Sequence, residues 1–168
     1  MAHLTDIKAS SAPEAERTLP PALLERIGFL LAMTKGGAEG FCTPALAPLG
    51  LHVRQFGLLT VLATEGPRSQ QELADWVRMD RTTMVGFIDG LEEAGYVRRE
   101  RNPSDRRAYL LQLTPEGRKV QKRAEGLMLE AEDEFLAELS ETEREQLLGL
   151  LAKLAIAVGR PPSEKAAP

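Results

Sequence analysis

The densest chemistry in this chain is cationic. A proline turn, Asn102-Pro103-Ser104-Asp105, leads into Arg106-Arg107, and Arg98, Arg99 and Arg101 stand just before it. Guanidinium groups at the tip of a turn suit phosphate oxygens and the narrow minor groove of DNA, where negative potential is concentrated. An acid such as Asp105 can orient the neighbouring arginine before binding. The bland alternative is a surface ion pair worth little. From Arg98 to Arg123 nine Lys/Arg stand against three acids; from Ala124 to Gln146 nine acids stand against Arg144 alone. The net charge of −4 therefore averages a basic patch with an acidic segment. Steering depends on the local field and not on the total, so charge leaves two readings open: a phosphate-binding patch, or two solvated faces of opposite sign.

Other chemistry is sparse. Cys42 is the single cysteine, so no intramolecular disulfide forms, which fits a reducing compartment. His3, Cys42 and His52 are too far apart for zinc-ligand spacing. No glycine-rich phosphate loop or nucleophile motif occurs, so neither catalytic residues nor a cofactor are expected. The N-terminus has no apolar run ahead of a cleavage site, and no stretch approaches a membrane span. A cytoplasmic protein without a membrane partner is expected.

The positioning elements follow from periodicity and caps. Of 168 residues 43% are hydrophobic but only 5% aromatic, so the core should be Leu, Ala and Val. Residues 1–18 read as a mobile polar arm. Pro20-Pro21 opens a helix carrying Leu23, Leu24, Ile27, Leu30 and Leu31, which loosens at Gly36, Gly37 and Gly40. Thr43 to Gly50, with Pro44 and Pro48, is expected to be a loop. A helix near Val53 turns Phe56, Leu58, Leu59 and Leu62 inward. Ser69 and Glu72 form a capping box for a short helix to about Val77, and Asp80 caps the next, from Arg81 to about Ala94. Tyr96–Arg101 and Arg107–Leu113 read as two strands of a hairpin. Thr114-Pro115 starts a long helix with Val120, Ala124, Leu127, Met128, Ala131 and Phe135 along one stripe. Ser140 and Glu143 cap a last, leucine-rich helix.

The middle third thus reads helix, helix, short turn, helix, hairpin. Small Ala74 allows a close crossing, and only Arg78-Met79-Asp80 separates the second and third helices. That is helix-turn-helix geometry, with the later helix placed for a major groove. Projected at 100° per residue, Met84, Val85, Ile88 and Leu91 gather on one side, with Phe87 at the margin. Thr82, Thr83, Gly86, Asp89, Gly90 and Glu93 face the other way. A helical glycine costs about 1 kcal/mol relative to Ala. Gly86 and Gly90 therefore mark either close approach of another molecule or tolerated surface positions. Candidate DNA contacts are Ser69 and Gln70 at the start of one helix, Arg81, Thr82, Thr83, Gly86 and Asp89 on the next, and Arg101, Asp105, Arg106 and Arg107 on the wing.

From Leu51 through Leu113-Thr114 the chain resembles the multiple-antibiotic-resistance regulator (MarR) family. The matching pieces are Gln55-Phe56 with Leu59, Gln71-Glu72-Leu73-Ala74, Asp80-Arg81-Thr82-Thr83, Leu91 through Val97, Asp105-Arg106-Arg107 and Leu113-Thr114-Pro115-Glu116-Gly117. The flanking helices extend the resemblance to about residues 20–158. It implies a mainly α fold with a small β-hairpin wing: a winged helix-turn-helix over 51–113, dimerisation helices at 19–44 and 114–160, and flexible ends at 1–18 and 161–168. It also implies a homodimer whose terminal helices interleave, so that two recognition helices meet a pseudo-palindromic operator. That would explain why the terminal helices carry more leucine than one small winged domain can bury.

One departure stands out. Many members carry Arg or Lys near the positions of Gly86 and Gly90. Base reading here would fall to Thr82, Thr83, helix shape and apolar contact with thymine methyls. Most affinity would come from phosphates and the wing, and would fall steeply with salt. The family further implies a small phenolic or anionic effector. His52 and Arg54 are candidates to contact it, against the alternative that His52 is a helix-terminal hydrogen-bonder. Trp76 either packs or covers the phosphate backbone. The function expected is a sequence-specific DNA-binding regulator, a ligand-responsive repressor. The alternatives are a redox-sensing regulator using Cys42, or a winged-helix interaction module without DNA binding.

Overall fold

The computed structural model describes residues 19–103 and 108–158. The expected contacts of Asp105, Arg106 and Arg107 lie outside the described residues. The chain divides between Gly36 and Gly37 into two units.

In the first unit α1 (Pro21–Leu24) starts on the Pro20 carbonyl, which accepts from the Leu23 amide at 2.8 Å. The single helix expected here is interrupted at Glu25. It restarts as α2 (Ile27–Leu46), where the Leu30 amide donates to the Arg26 carbonyl. Leu24, Ile27, Leu31 and Met33 are all exposed.

α2 runs on through its glycines and Pro44 to Leu46, so the expected loop from Thr43 to Gly50 begins too early. The physical reason is tertiary. Leu46 is fully buried and Cys42 packs on the same core, and that burial holds the last turn despite the amide that Pro44 lacks. A 3-10 turn, Ala47–Leu49, ends at Gly50, whose φ of 63° suits glycine.

The winged domain comprises α3 (Val53–Glu65), β1 (Arg68–Ser69), α4 (Gln70–Val77), α5 (Arg81–Glu93), β2 (Val97–Arg101) and β3 (Tyr109–Leu113). The sheet is antiparallel in the order β1-β3-β2. Its core joins Leu58, Leu59 and Leu62 of α3, Leu73 of α4, Met84, Ile88 and Leu91 of α5, and Val97, Leu111 and Leu113 of the wing. Each such side chain contributes about 1.5–3 kcal/mol by leaving water. β1 was not expected: two residues carry no period, and only pairing of Arg68 with Leu111 and Ser69 with Leu110 makes them a strand. β3 begins at Tyr109, and the expected strand start at Arg107 lies outside the described residues.

α6 (Pro115–Phe135) is locked to the wing at its first turn. The Thr114 hydroxyl accepts from the Gly117 amide at 2.9 Å and donates to the Gly95 carbonyl at 2.7 Å. A Cβ on Gly117 would stand 2.0 Å from the Tyr96 carbonyl oxygen, so glycine at this position is a steric requirement of the junction. Ala124, Met128 and Ala131 continue the buried stripe. α7 (Glu141–Val158) is capped as expected by Ser140 and Glu143, yet buries no residue. Among the described residues no single helix is long and apolar enough to cross a membrane.

Candidate nucleic-acid interface

The helix-turn-helix is built by three local devices. Ser69 starts α4: its amide donates to Glu72 Oε2 at 2.8 Å and its hydroxyl to the same oxygen at 2.7 Å. These bonds hold the Glu72 carboxyl below its usual range, with the Ser69 hydroxyl contributing most. Arg78 ends α4 in the left-handed region at φ 50°, and the Met79 amide reaches back to the Ala74 carbonyl at 3.0 Å. Asp80 then starts α5, accepting from the Thr83 amide at 2.9 Å and the Thr83 hydroxyl at 2.6 Å, which lowers its pKa. Ala74 is buried at the crossing.

These caps leave Arg81, Thr82 and Gly86 exposed on α5, with Gln70 half-buried at the start of α4. Apart from its chain neighbours and the backbone of its own helix, nothing lies within 4 Å of the position a Cβ would take on Gly86. Thr83 is also exposed, but its hydroxyl proton is committed to Asp80. Two expectations for this helix are corrected. Val85, placed with the core by its phase, is 39% exposed, because α4 leaves that flank uncovered. Gly90, placed on the open face, lies under Gln55, whose Nε2 is 3.3 Å from its Cβ position. The close approach at Gly90 is made by α3.

The far end of α5 is tied to the wing. Arg99 Nη2 donates to Asp89 at 2.8 Å, and Nη1 pairs with Glu92. The Asp89 hydrogen bond is the main cause of a raised Arg99 pKa. Asp89 is therefore a partner of β2 and not a bare carboxylate facing outward. Further along β2, Arg98 pairs with Glu100 at 2.7 Å, and the exposed Arg101 guanidinium stands 5.8 Å from the Tyr109 ring centre. The basic run continues in exposed Arg118, Lys119, Lys122 and Arg123 on the first turns of α6.

His52 caps α3. Its Nδ1 accepts from the Arg54 amide at 3.1 Å, and its ring lies 5.0 Å from that of Phe87 on α5. The Gln55 side chain closes the same junction, accepting from the His52 amide at 3.0 Å and donating to the Phe87 carbonyl at 3.4 Å. Arg54 is exposed beside it. Trp76 is half-exposed, with the Arg68 guanidinium 5.5 Å from its ring centre, so it is not a core residue. Burial pushes the Cys42 thiol up, and Glu132 pushes it further, the opposite of an activated thiol. The redox reading is not favoured.

Sequence reasoning missed the parts played by Arg99, Gln55 and Val85. Gln55 stood within the resemblance and Arg99 within the basic run, but their partners lie on other elements. Phase alone could not show that one flank of α5 lacks a neighbour.

Comparison with known proteins agrees with this geometry. The profile of the MarR family matches residues 51–109. A Thauera aromatica protein assigned to transcriptional regulation of the hcr operon is 38% identical over 99 residues, which cover 59% of this chain and 60% of that one. The chain thus spans less than two thirds of that relative. Among solved structures, CouR from Rhodococcus jostii RHA1 bound to p-coumaroyl-CoA is 33% identical with a TM-score of 0.73, covering 81% of this chain and 96% of CouR. The repressor CouR on a 23-mer DNA duplex gives 33% identity and a TM-score of 0.76, covering 80% and 96%.

Proposed function

The chain belongs to the MarR family of transcriptional regulators, and from that premise we propose that it is a ligand-responsive repressor that binds a pseudo-palindromic operator as a homodimer. The observation that carries the reading is the α4–turn–α5 unit. Its caps leave Arg81, Thr82 and Gly86 open beside a basic wing. α5 enters the major groove of double-stranded DNA, where Arg81, Thr82, Thr83 and Gly86 meet base edges and backbone. Ser69 and Gln70, at the start of α4, face a phosphate. Arg101, Asp105, Arg106 and Arg107 carry the wing into the minor groove. Asp89 acts through Arg99, holding the wing against α5.

The exposed apolar face of α7 supports the homodimer, since a second copy would cover it. The proposed effector is a small aromatic or anionic molecule. His52 and Arg54 would contact it at the α3–α5 junction, where displacing the His52 ring from Phe87 would shift the recognition helix. The proposed compartment is the cytoplasm.

The test is binding of the purified protein to its own upstream DNA across a salt series. Affinity should fall linearly on a log–log plot, with one dimer per site. Arg107→Ala, which removes one contact from each half-site, should reduce affinity about tenfold or more and lower the salt slope by about 2. Absence of binding at low salt, to that DNA and to a randomised pool alike, would refute the reading and leave an interaction module.

A further inference from the structure

The recognition helix offers DNA very few polar groups. The Thr83 hydroxyl donates to Asp80 and is left to DNA only as an acceptor, Asp89 is held by Arg99, and Gly90 is covered by Gln55. What remains beside Arg81 and Thr82 is Gly86, open to within contact of its backbone, and Val85 next to it. Val85 lines a groove of about 300 Å³ between α4 and α5, floored by Ala74 and Met84 and edged by Gln70, Gln71 and Arg81. A valine in a helix has one strongly preferred rotamer, so its two methyl groups point in a fixed direction. In the major groove thymine alone among the bases presents a methyl group.

We propose that Val85 is a specificity-determining residue that reads thymine by packing its methyl groups against the thymine C5-methyl, with Gly86 letting the base edge come close. A side chain on Gly86 would hold the duplex away from this flank, and a polar residue at 85 would exchange apolar for hydrogen-bond reading. The inference rests on the DNA-binding reading above.

The experiment uses the full chain. Duplexes are selected from a randomised pool, and in the tightest one each thymine is replaced singly by uracil, which removes the methyl and keeps the pairing edge. The wild type should lose about fourfold in affinity at one thymine of each half-site, the worth of one buried methyl. V85A should bind the thymine and uracil duplexes alike. A circular dichroism spectrum and Tm matching those of the wild type would show that it is folded. If no uracil substitution weakens the wild type, or if V85A retains the same loss, the role of Val85 is overturned while DNA binding stands. If the pool yields no enriched duplex, the sequence-specific part of the DNA-binding reading falls and this inference with it.

Discussion

α5 and α7 are both rich in apolar residues, yet their fates differ. α5 spans 13 residues and buries Met84, Ile88 and Leu91. α7 spans 18, includes Leu148, Leu150, Leu151 and Leu154, and leaves all four exposed. On α5 the buried residues lie on one side, and α3, α4 and the wing meet that side within the chain. On α7 the apolar residues extend round the helix, and a helix apolar on several sides needs more than one neighbour. The recognition helix is therefore positioned by its own chain, whereas the described residues reach α7 through contacts such as the Arg78 side chain on the Ala155 carbonyl and leave these four leucines exposed.

The largest expected effect breaks that contrast directly. If the proposed homodimer forms through α7, Leu151→Glu with Leu154→Glu should abolish self-association in sedimentation velocity and reduce operator affinity by about a hundredfold or more, since the second half-site would be lost. A double variant that stays dimeric would show that α7 is covered in some other way.

A smaller effect sharpens the intrachain half of the contrast. Gly117→Ala drives a methyl group into the Tyr96 carbonyl and should destabilise the fold by about 3 kcal/mol. In thermal unfolding that is a fall in Tm of roughly 6–12 °C. An unchanged Tm would mean that the α6–wing junction is not held as tightly as its geometry indicates.

The smallest effect concerns the cap of α5. The Asp80 carboxyl lies below its ordinary value of 3.8 because Thr83 donates to it. The folded protein therefore binds that proton less readily than the unfolded chain. The stabilisation is complete above the ordinary value and is lost as pH falls through the lower, folded value. Asp80→Asn keeps a capping oxygen but removes the titration. Its stability should fall less steeply than that of the wild type on acidification below about pH 4. Parallel acid limbs would show that the cap does not contribute.

The helix-turn-helix and its caps were legible because each depends on residues three or four apart. Ser69 with Glu72, Asp80 with Thr83, Thr114 with Gly117 and Ser140 with Glu143 are all contained in short windows. The candidate DNA contacts were less legible. Phase correctly set Thr82 and Gly86 outward, but misplaced Val85 and Gly90, which sit at the margins of the buried arc where a neighbour decides the outcome.

By itself the sequence determined the main helices, the caps at Ser69, Asp80, Thr114 and Ser140 and the concentration of positive charge near the wing, because short-range periodicity and composition encode them, while the family was carried by the motifs it shares. The tertiary structure alone decided that α2 continues to Leu46, that Arg68 and Ser69 become a strand, that Asp89 pairs with Arg99, and that Gly90 lies under Gln55. Each of these depends on which distant surface arrives at a given side chain, and burial or pairing by that surface outweighs the local preference of the residues involved.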